Sequence, residues 1–446
     1  MTTRRRFLGQ ASAFTTASAF AVGAGWSFKA WPATQVGAPA SGGGARKLVV
    51  LMLRGAIDGL SVVVPFEDRD YQASRSNIRL GRPGEPGGVM RLNRQFGLHP
   101  ALARLLPLWE SQSLSFVHAS GSPDASRSHF DAQDYWESGT PGVKSTPDGW
   151  MNRLLATLPG PASPTRALSM GATPARIFSG TASVASLGLG PRALDSKAID
   201  DPRLQAGLAK LYAQDPGLSR SLQDSREGRA EMQRSMAKAS LDMGAHEGSR
   251  EGSSDVSSAR AAQLASQADQ GAASARSFAA DARRMGQLIR RDPHTQLAFT
   301  SVGGWDTHVN QGGAEGQLAN KLASLGEGLE ALSQGLGDAM RDTVIVVCSE
   351  FGRTLRQNGT GGTDHGRGNV MWLMGGPVAG AQVLGEWPGL DSAALVEGRD
   401  LAVTSDFRQV FAALLQRHLG VPDASLAQVF PGLSGSWRDG GRILRA

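Results

Sequence analysis

Residues 47–53 read Lys-Leu-Val-Val-Leu-Met-Leu, an apolar run with no polar alternation. A strand that meets water on one face alternates polar and apolar residues; one covered on both faces does not. The run therefore predicts a central strand of a parallel sheet with helices on both sides. It ends at Arg54-Gly55. Four further apolar runs follow the same plan, at 113–118, 295–301, 342–348 and 370–374, the last closing at Gly375-Gly376-Pro377. Between the third and fourth runs of the chain, Leu318, Leu322, Leu325, Leu329, Leu332 and Leu336 recur at spacings of four and three, the stripe of a helix lying on a sheet. Strand alternating with helix predicts a doubly wound, mostly parallel α/β fold. Ser405-Asp406 gives an N-cap signal and Leu419-Gly420 a stop signal for one more helix.

The 446 residues are 40% hydrophobic, which excludes a wholly disordered chain and allows a large core. One cysteine, Cys348, excludes an internal disulfide and any multi-cysteine metal site; its place in an apolar run predicts inert burial. The formal charge is +6, but residues 1–40 hold Arg4, Arg5, Arg6 and Lys29 and no acid, leaving a net +2 for the remainder. A nearly neutral body argues against a nucleic-acid partner. From about Ala198 to Arg291 the composition shifts to Ala, Ser, Gln, Arg and Glu. This stretch predicts a helical insertion, two long helices with a break at Gly244–Ser254.

Thr3-Arg4-Arg5-Arg6-Phe7-Leu8 places an arginine pair ahead of Phe-Leu, then comes weakly apolar Ala11–Trp26 and the small-x-small site Ala38-Pro39-Ala40. That order predicts a twin-arginine signal over residues 1–40, with residues 41–446 forming the α/β domain. The expected partner is the twin-arginine (Tat) export machinery, and the expected location periplasmic or extracellular. The apolar stretch falls short of the roughly 20 residues of a membrane helix, so no stable span is expected in the mature form.

Ligands of open parallel sheets bind beyond the carboxyl ends of the strands. The residues there are Arg54 and Asp58 after the first run, and His118, Asp124, Ser126, Ser128 and His129 after the second. Gly303-Gly304-Trp305-Asp306-Thr307-His308 follows the third, Ser349-Glu350-Phe351-Gly352-Arg353 the fourth, and Gly362-Thr363-Asp364-His365-Gly366 precedes the fifth. Carboxylates and imidazoles recurring at strand ends suit one or two divalent ions such as zinc, manganese or magnesium. His246, His294 and His418 lie in or beside helical surface patterns and are expected to be solvated; His99, before Pro100, is expected to stabilise a turn. The serine-hydrolase elbow, the phosphate loop, the dinucleotide fingerprint and His-Glu-x-x-His are all missing from the sequence.

The stretches 53–60, 128–139, 303–308, 349–354 and 362–366 together resemble the Tat-exported bacterial family known as domain-of-unknown-function family 1501. That family is similar in fold to the alkaline phosphatase and sulfatase superfamily, whose members bind two metals at strand ends. The resemblance implies an alkaline phosphatase-like fold and a metal-dependent hydrolase of phosphate or, less readily, sulfate esters. It implies metal roles for Asp58, Asp306, His308, Glu350 and His365. Asp306, His308 and His365 are expected to share one ion, with Asp58 and Glu350 at a second site weakened by Phe351, which stands where the superfamily has a histidine. Ser128, opening a predicted helix, is the expected nucleophile, with Ser126 second. Neither lies in a sulfatase Cys/Ser-x-Pro-x-Arg signature. Arg353 or Arg54 is expected to clamp non-bridging oxygens of a small ester substrate. The alternative is a non-catalytic exported binding or assembly protein that keeps the fold.

Overall fold

The computed structural model describes residues 45–160, 163–171, 174–190, 193, 195, 200–240 and 269–445. The export signal expected over 1–40 and the helix break expected at Gly244–Ser254 lie outside the described residues. The first apolar run forms β1 (Lys47–Leu53), buried at every position. Along the chain follow β2 (Leu114–Gly121), β3 (Ala167–Met170), β4 (Ala185–Leu187), β5 (Leu297–Gly303), β6 (Thr343–Ser349) and β7 (Asn369–Met374). β3 and β4 have no counterpart in the sequence reading, because four and three residues carry no usable periodicity.

The sheet order is β2-β7-β6-β1-β5-β3-β4, with a short strand at Val383–Leu384 outside β2. β1 lies between β5 and β6 and is parallel to both, and the parallel run continues through β3 to β4. β7 runs antiparallel to β6 and β2. The reason is local. The loop 350–368 stays at the carboxyl edge where β6 ends, so β7 starts there and must run back.

The longer helices are α1 (His129–Ser138), α2 (Pro202–Tyr212), α3 (Pro216–Ser240), α4 (Phe278–Arg291), α5 (Gln317–Leu336) and α6 (Phe407–Leu419). β1 divides the two cores between its faces. Val49, Leu51 and Leu53 join α4 and all six leucines of the α5 stripe. Leu48, Val50 and Met52 join Trp136, Trp150, Phe407 and Phe411 on the other side. Side-chain alternation along one strand thus serves a helix layer on each face. α6 is capped by Asp406, whose side chain accepts from the Arg408 amide, and stopped by Gly420 in the left-handed region at φ 70°.

α4 corrects the expected insertion. Phe278, Ala282, Met285, Leu288 and Ile289 pack into the core rather than into an appendage. The crossing with α5 is close, since a Cβ on Gly286 would lie 2.6 Å from the Leu332 carbonyl oxygen. α2, by contrast, has no buried residue. Cys348 is buried, as expected, and burial pushes its thiol up. Among the described residues no helix is long and apolar enough to cross a membrane.

Three histidines brace the body. His418 is buried, not solvated, because α6 ends over the start of β1 and its Nε2 meets the Lys47 carbonyl at 2.9 Å. His99 Nδ1 accepts from the Ala101 amide, the turn expected of it, and its Nε2 meets Gly313 O at 3.1 Å. His118 Nδ1 accepts from the Ala119 amide while Nε2 meets Val63 O at 2.8 Å. Both His99 and His118 are thereby fixed as neutral Nε2–H rings, and burial pushes each down to about 4. In the unfolded chain both return to about 6.5. The folded value is the lower one, so each ring contributes stability above about pH 6.5 that is lost as pH falls toward 4, on the order of 3 kcal/mol apiece. The urea midpoint should fall between pH 7 and pH 4.5, and His118→Gln should flatten part of that fall. An unchanged slope in the variant would show that His118 does not titrate with unfolding.

Candidate metal centre

Three loops bring the site's side chains to the carboxyl edge of the sheet. After β2 the chain enters α1 through Ser128, an extended N-cap whose Oγ accepts from the Asp131 amide at 3.5 Å. That cap fixes His129 at the first helical position, buried and turned toward the strand ends. The loop after β5 supplies Asp306 and His308, and the loop before β7 supplies His365.

Their donor atoms converge. His365 Nε2 lies 3.0 Å from His129 Nε2, 2.9 Å from His308 Nε2 and 3.2 Å from Asp306 Oδ1. Asp306 Oδ1 lies 3.0 Å from His308 Nε2 and 3.6 Å from His129 Nε2. The opposite ring nitrogens are each held by an acceptor. His129 Nδ1 meets Glu350 Oε1 at 2.8 Å, His308 Nδ1 meets Asp364 Oδ1 at 3.0 Å, and His365 Nδ1 meets Arg127 O at 2.8 Å. Protons assigned to those Nδ1 atoms leave the His129 and His308 Nε2 lone pairs and Asp306 Oδ1 all facing His365 Nε2, an arrangement that a cation or additional protons must hold.

A divalent ion fits this set. Bonds of about 2.0–2.1 Å in a tetrahedron space the ligands about 3.3 Å apart, and the triangle of His129, Asp306 and His365 has sides of 3.0, 3.2 and 3.6 Å. Metal-binding histidines usually donate their other N–H to a carboxylate or carbonyl, as all three do here. Among the described residues, His129, Asp306 and His365 form the one cluster of three or more such side chains with donor atoms close enough to share an ion. His308 adds a half-exposed fourth donor beside them.

The crowding of acceptors also holds protons. Burial lowers His129, but its bonds to Asp306 and Glu350 outweigh that and raise it to about 9. The bond to Asp306 raises His308 against the opposing effect of burial. Burial pushes Glu350 up, yet the bond and charge of His129 bring it down to about 2. Asp306 is held far below the usual carboxylate range: burial opposes this, and the three imidazoles and Arg353 overcome it.

The other expected site residues have different work. Asp58 is fully buried and pairs with Arg75 at 2.6 and 3.0 Å, also accepting from Ser61 Oγ and Gln311 Nε2. Its place outside the cluster corrects the ligand role expected of it: the acid after β1 is answered by the guanidinium of Arg75, which follows the short helix Arg69–Ser74. Glu350 lies behind His129 rather than among the ligands, its Oε1 accepting also from the Gly55 amide at 2.8 Å and Gln133 at 2.9 Å. Arg54 binds Gln133 at 2.6 Å and Glu137 at 2.7 Å inside the protein. Arg353, also buried, donates to the carbonyls of Gly55, Ala56, Trp305 and Thr363 and to Asp306 Oδ1 at 2.6 Å. Both arginines are internal braces, which corrects the expected substrate clamp. The turn after β1 draws Arg353 in, because Gly55 at φ 108° aims carbonyls at it. A Cβ there would come within 2.8 Å of the Asp306 amide, so only glycine fits. Phe351 stacks on His129 with centroids 4.9 Å apart and makes an apolar wall where the resemblance implies a ligand.

His129 stands at a strand end in the sequence, where no role is expected of it. The signal was present, since a Ser N-cap fixes the next residue at the mouth of the helix.

Fold and cluster together define an α/β protein with a His/Asp cluster fit for a divalent ion at the carboxyl edge of its sheet. The family model described as protein of unknown function (DUF1501) matches residues 109–430, more than half of the chain, and the chain belongs to that family. No curated protein matches the sequence. Among solved structures, the chain is similar to a protein in the alkaline phosphatase superfamily from Vibrio parahaemolyticus, at 9% identity and TM-score 0.37, over 77% of this chain. It spans 63% of the length of that protein. It is also similar to Ps i-CgsB in complex with k-i-k-neocarrahexaose, at 11% identity and TM-score 0.39, over 88% of this chain and 75% of that one. For a Mg-bound mutant of TAB5 alkaline phosphatase the values are 11% and 0.33, over 75% and 92%.

Proposed function

We propose that the protein is an exported metal-dependent hydrolase of phosphate esters, its ion held by His129, Asp306, His308 and His365. The observation that carries this reading is the convergence of three imidazole Nε2 atoms on one carboxylate oxygen, each ring anchored from behind. A bound divalent ion supplies Lewis acidity toward an ester oxygen. The chain's own residues do the rest. Glu350, Asp364 and the Arg127 carbonyl orient the rings, Arg353 fixes Asp306, and Phe351 keeps water from one side. Ser128 is the proposed nucleophile, exposed at the helix N-terminus one residue before His129. Its oxygen would take the phosphoryl group, releasing the alcohol, and water would then free the serine.

The test is a screen of phosphate and sulfate esters with metal-loaded protein, followed by Ser128→Ala on any substrate found. Turnover should fall at least about 1,000-fold with metal affinity intact, whereas loss of a mere cap costs about 1 kcal/mol of stability. Near-normal turnover would remove Ser128 from the mechanism. A second reading, a binding or assembly protein without turnover, is favoured by the internal engagement of Arg54 and Arg353. Stoichiometric metal with no ester hydrolysed would support it. Export through the twin-arginine machinery is part of the proposal: Arg4→Lys with Arg5→Lys should retain the protein in the cytoplasm, because an arginine pair is not replaced by charge alone.

A further inference from the structure

We infer that the protein holds a single divalent ion, and that fixed arginines occupy the electrostatic place of a second. The inference rests on the metal centre proposed above and concerns its composition. A second ion near the first would need carboxylate oxygens with lone pairs to offer, and three acids at the carboxyl edge, Asp58, Glu350 and Glu137, are already answered from within. Asp58 Oδ2 accepts from Arg75, Ser61 and Gln311, and its Oδ1 from Arg75; acid and guanidinium alike are shut off from solvent. Glu350 Oε1 accepts from Gly55, Gln133 and His129, and its Oε2 from Ser349. Glu137 binds Arg54 through one oxygen and the Ile177 amide through the other.

A dication placed against any of these would meet a buried guanidinium or displace the hydrogen bonds that satisfy the acid. Neither is compensated, since a buried arginine deprived of its partner has nowhere to go. Phe351 lays an aromatic ring, not a ligand, on His129. Arg353 then supplies what a second cation would: positive charge on Asp306 Oδ1, delivered at 2.6 Å by a side chain fixed through four backbone carbonyls. A guanidinium cannot give up its charge at any working pH, so this half of the centre is permanently loaded.

Stoichiometry decides the matter without reference to turnover. The full protein, stripped with chelator and dialysed, is titrated calorimetrically with Zn2+ and separately with Mn2+, and the loaded protein is analysed for metal content. One ion per chain is expected with either metal. Asp58→Asn and, should that variant not fold, Glu350→Gln should still bind one ion, with Glu350→Gln weaker by about 10–100-fold. Two ions in the parent protein, one of them lost on either substitution, would overturn the inference while leaving the hydrolase reading intact. No bound ion at all would overturn the metal centre itself, and this inference with it.

Discussion

Replacing His365 with alanine is expected to weaken divalent-ion binding by more than about 100-fold, beyond the 10–100-fold that loss of a supporting partner produces. His365 stands in the middle of the donor set, its Nε2 within 2.9–3.2 Å of His308, His129 and Asp306. No other side chain in the cluster touches all the rest at that range. Its removal leaves Asp306 Oδ1, at 3.6 and 3.0 Å, as what His129 and His308 share. The effect on folding should be small, because the His365 side chain is about a quarter exposed (24%) and packs against loops rather than a core. Competition titration with a zinc chelator reads the affinity, and thermal unfolding of the stripped protein checks the fold. Binding at the parental affinity would show that His365 has only a structural role.

Asp58→Asn should have the largest effect on stability. Breaking a buried ion pair from one side costs about 3–5 kcal/mol, chiefly because the surviving charge is stranded. Arg75 would keep its bonds to the Leu355 and Thr354 carbonyls, at 2.9 and 3.0 Å, but would have no anion within reach. Asparagine preserves the shape, so the loss isolates charge. The sign is diagnostic. A metal ligand replaced in this way would leave the stripped protein as stable as before, or more so, through relief of repulsion. Burial raises Asp58, but Arg75 holds it below its ordinary value. That interaction therefore contributes stability at neutral pH which is lost as pH falls through the folded value. Urea unfolding at pH 7 of parent and variant measures the effect; a difference under about 1 kcal/mol, the scale of an exposed pair, would show that the pair contributes no more than a surface one.

The two cases show where sequence was and was not informative. β1, β2, β5, β6 and the α5 stripe were legible because burial on both faces or on one helical face writes itself as apolar spacing. The direction of β7 was not, because apolar spacing is the same whichever way a strand runs. That Asp306, His308 and His365 would lie together was legible because strand ends converge by rule. Asp58 obeyed the same rule and went elsewhere, since its partner Arg75 closes a short helix whose docking no local pattern records. His129 was passed over in favour of its neighbour Ser128. α4 was absorbed into an Ala- and Arg-rich stretch although Phe278, Ala282, Met285 and Ile289 already mark one buried face at helical spacing. Composition smoothed over a pattern that periodicity held.

The pairing of β1 has a consequence for how the chain is made. Leu48 lies against Leu297 on one side and Val344 on the other, so the first strand to leave the ribosome is among the last to find its neighbours. Pairings so distant in sequence are slow to form, and an apolar strand kept waiting is open to aggregation. A nascent chain halted before residue 343 carries β1 with one edge bare, and it also lacks His365. Such a chain should need a holding chaperone, and ion capture should mark the moment when synthesis is nearly complete.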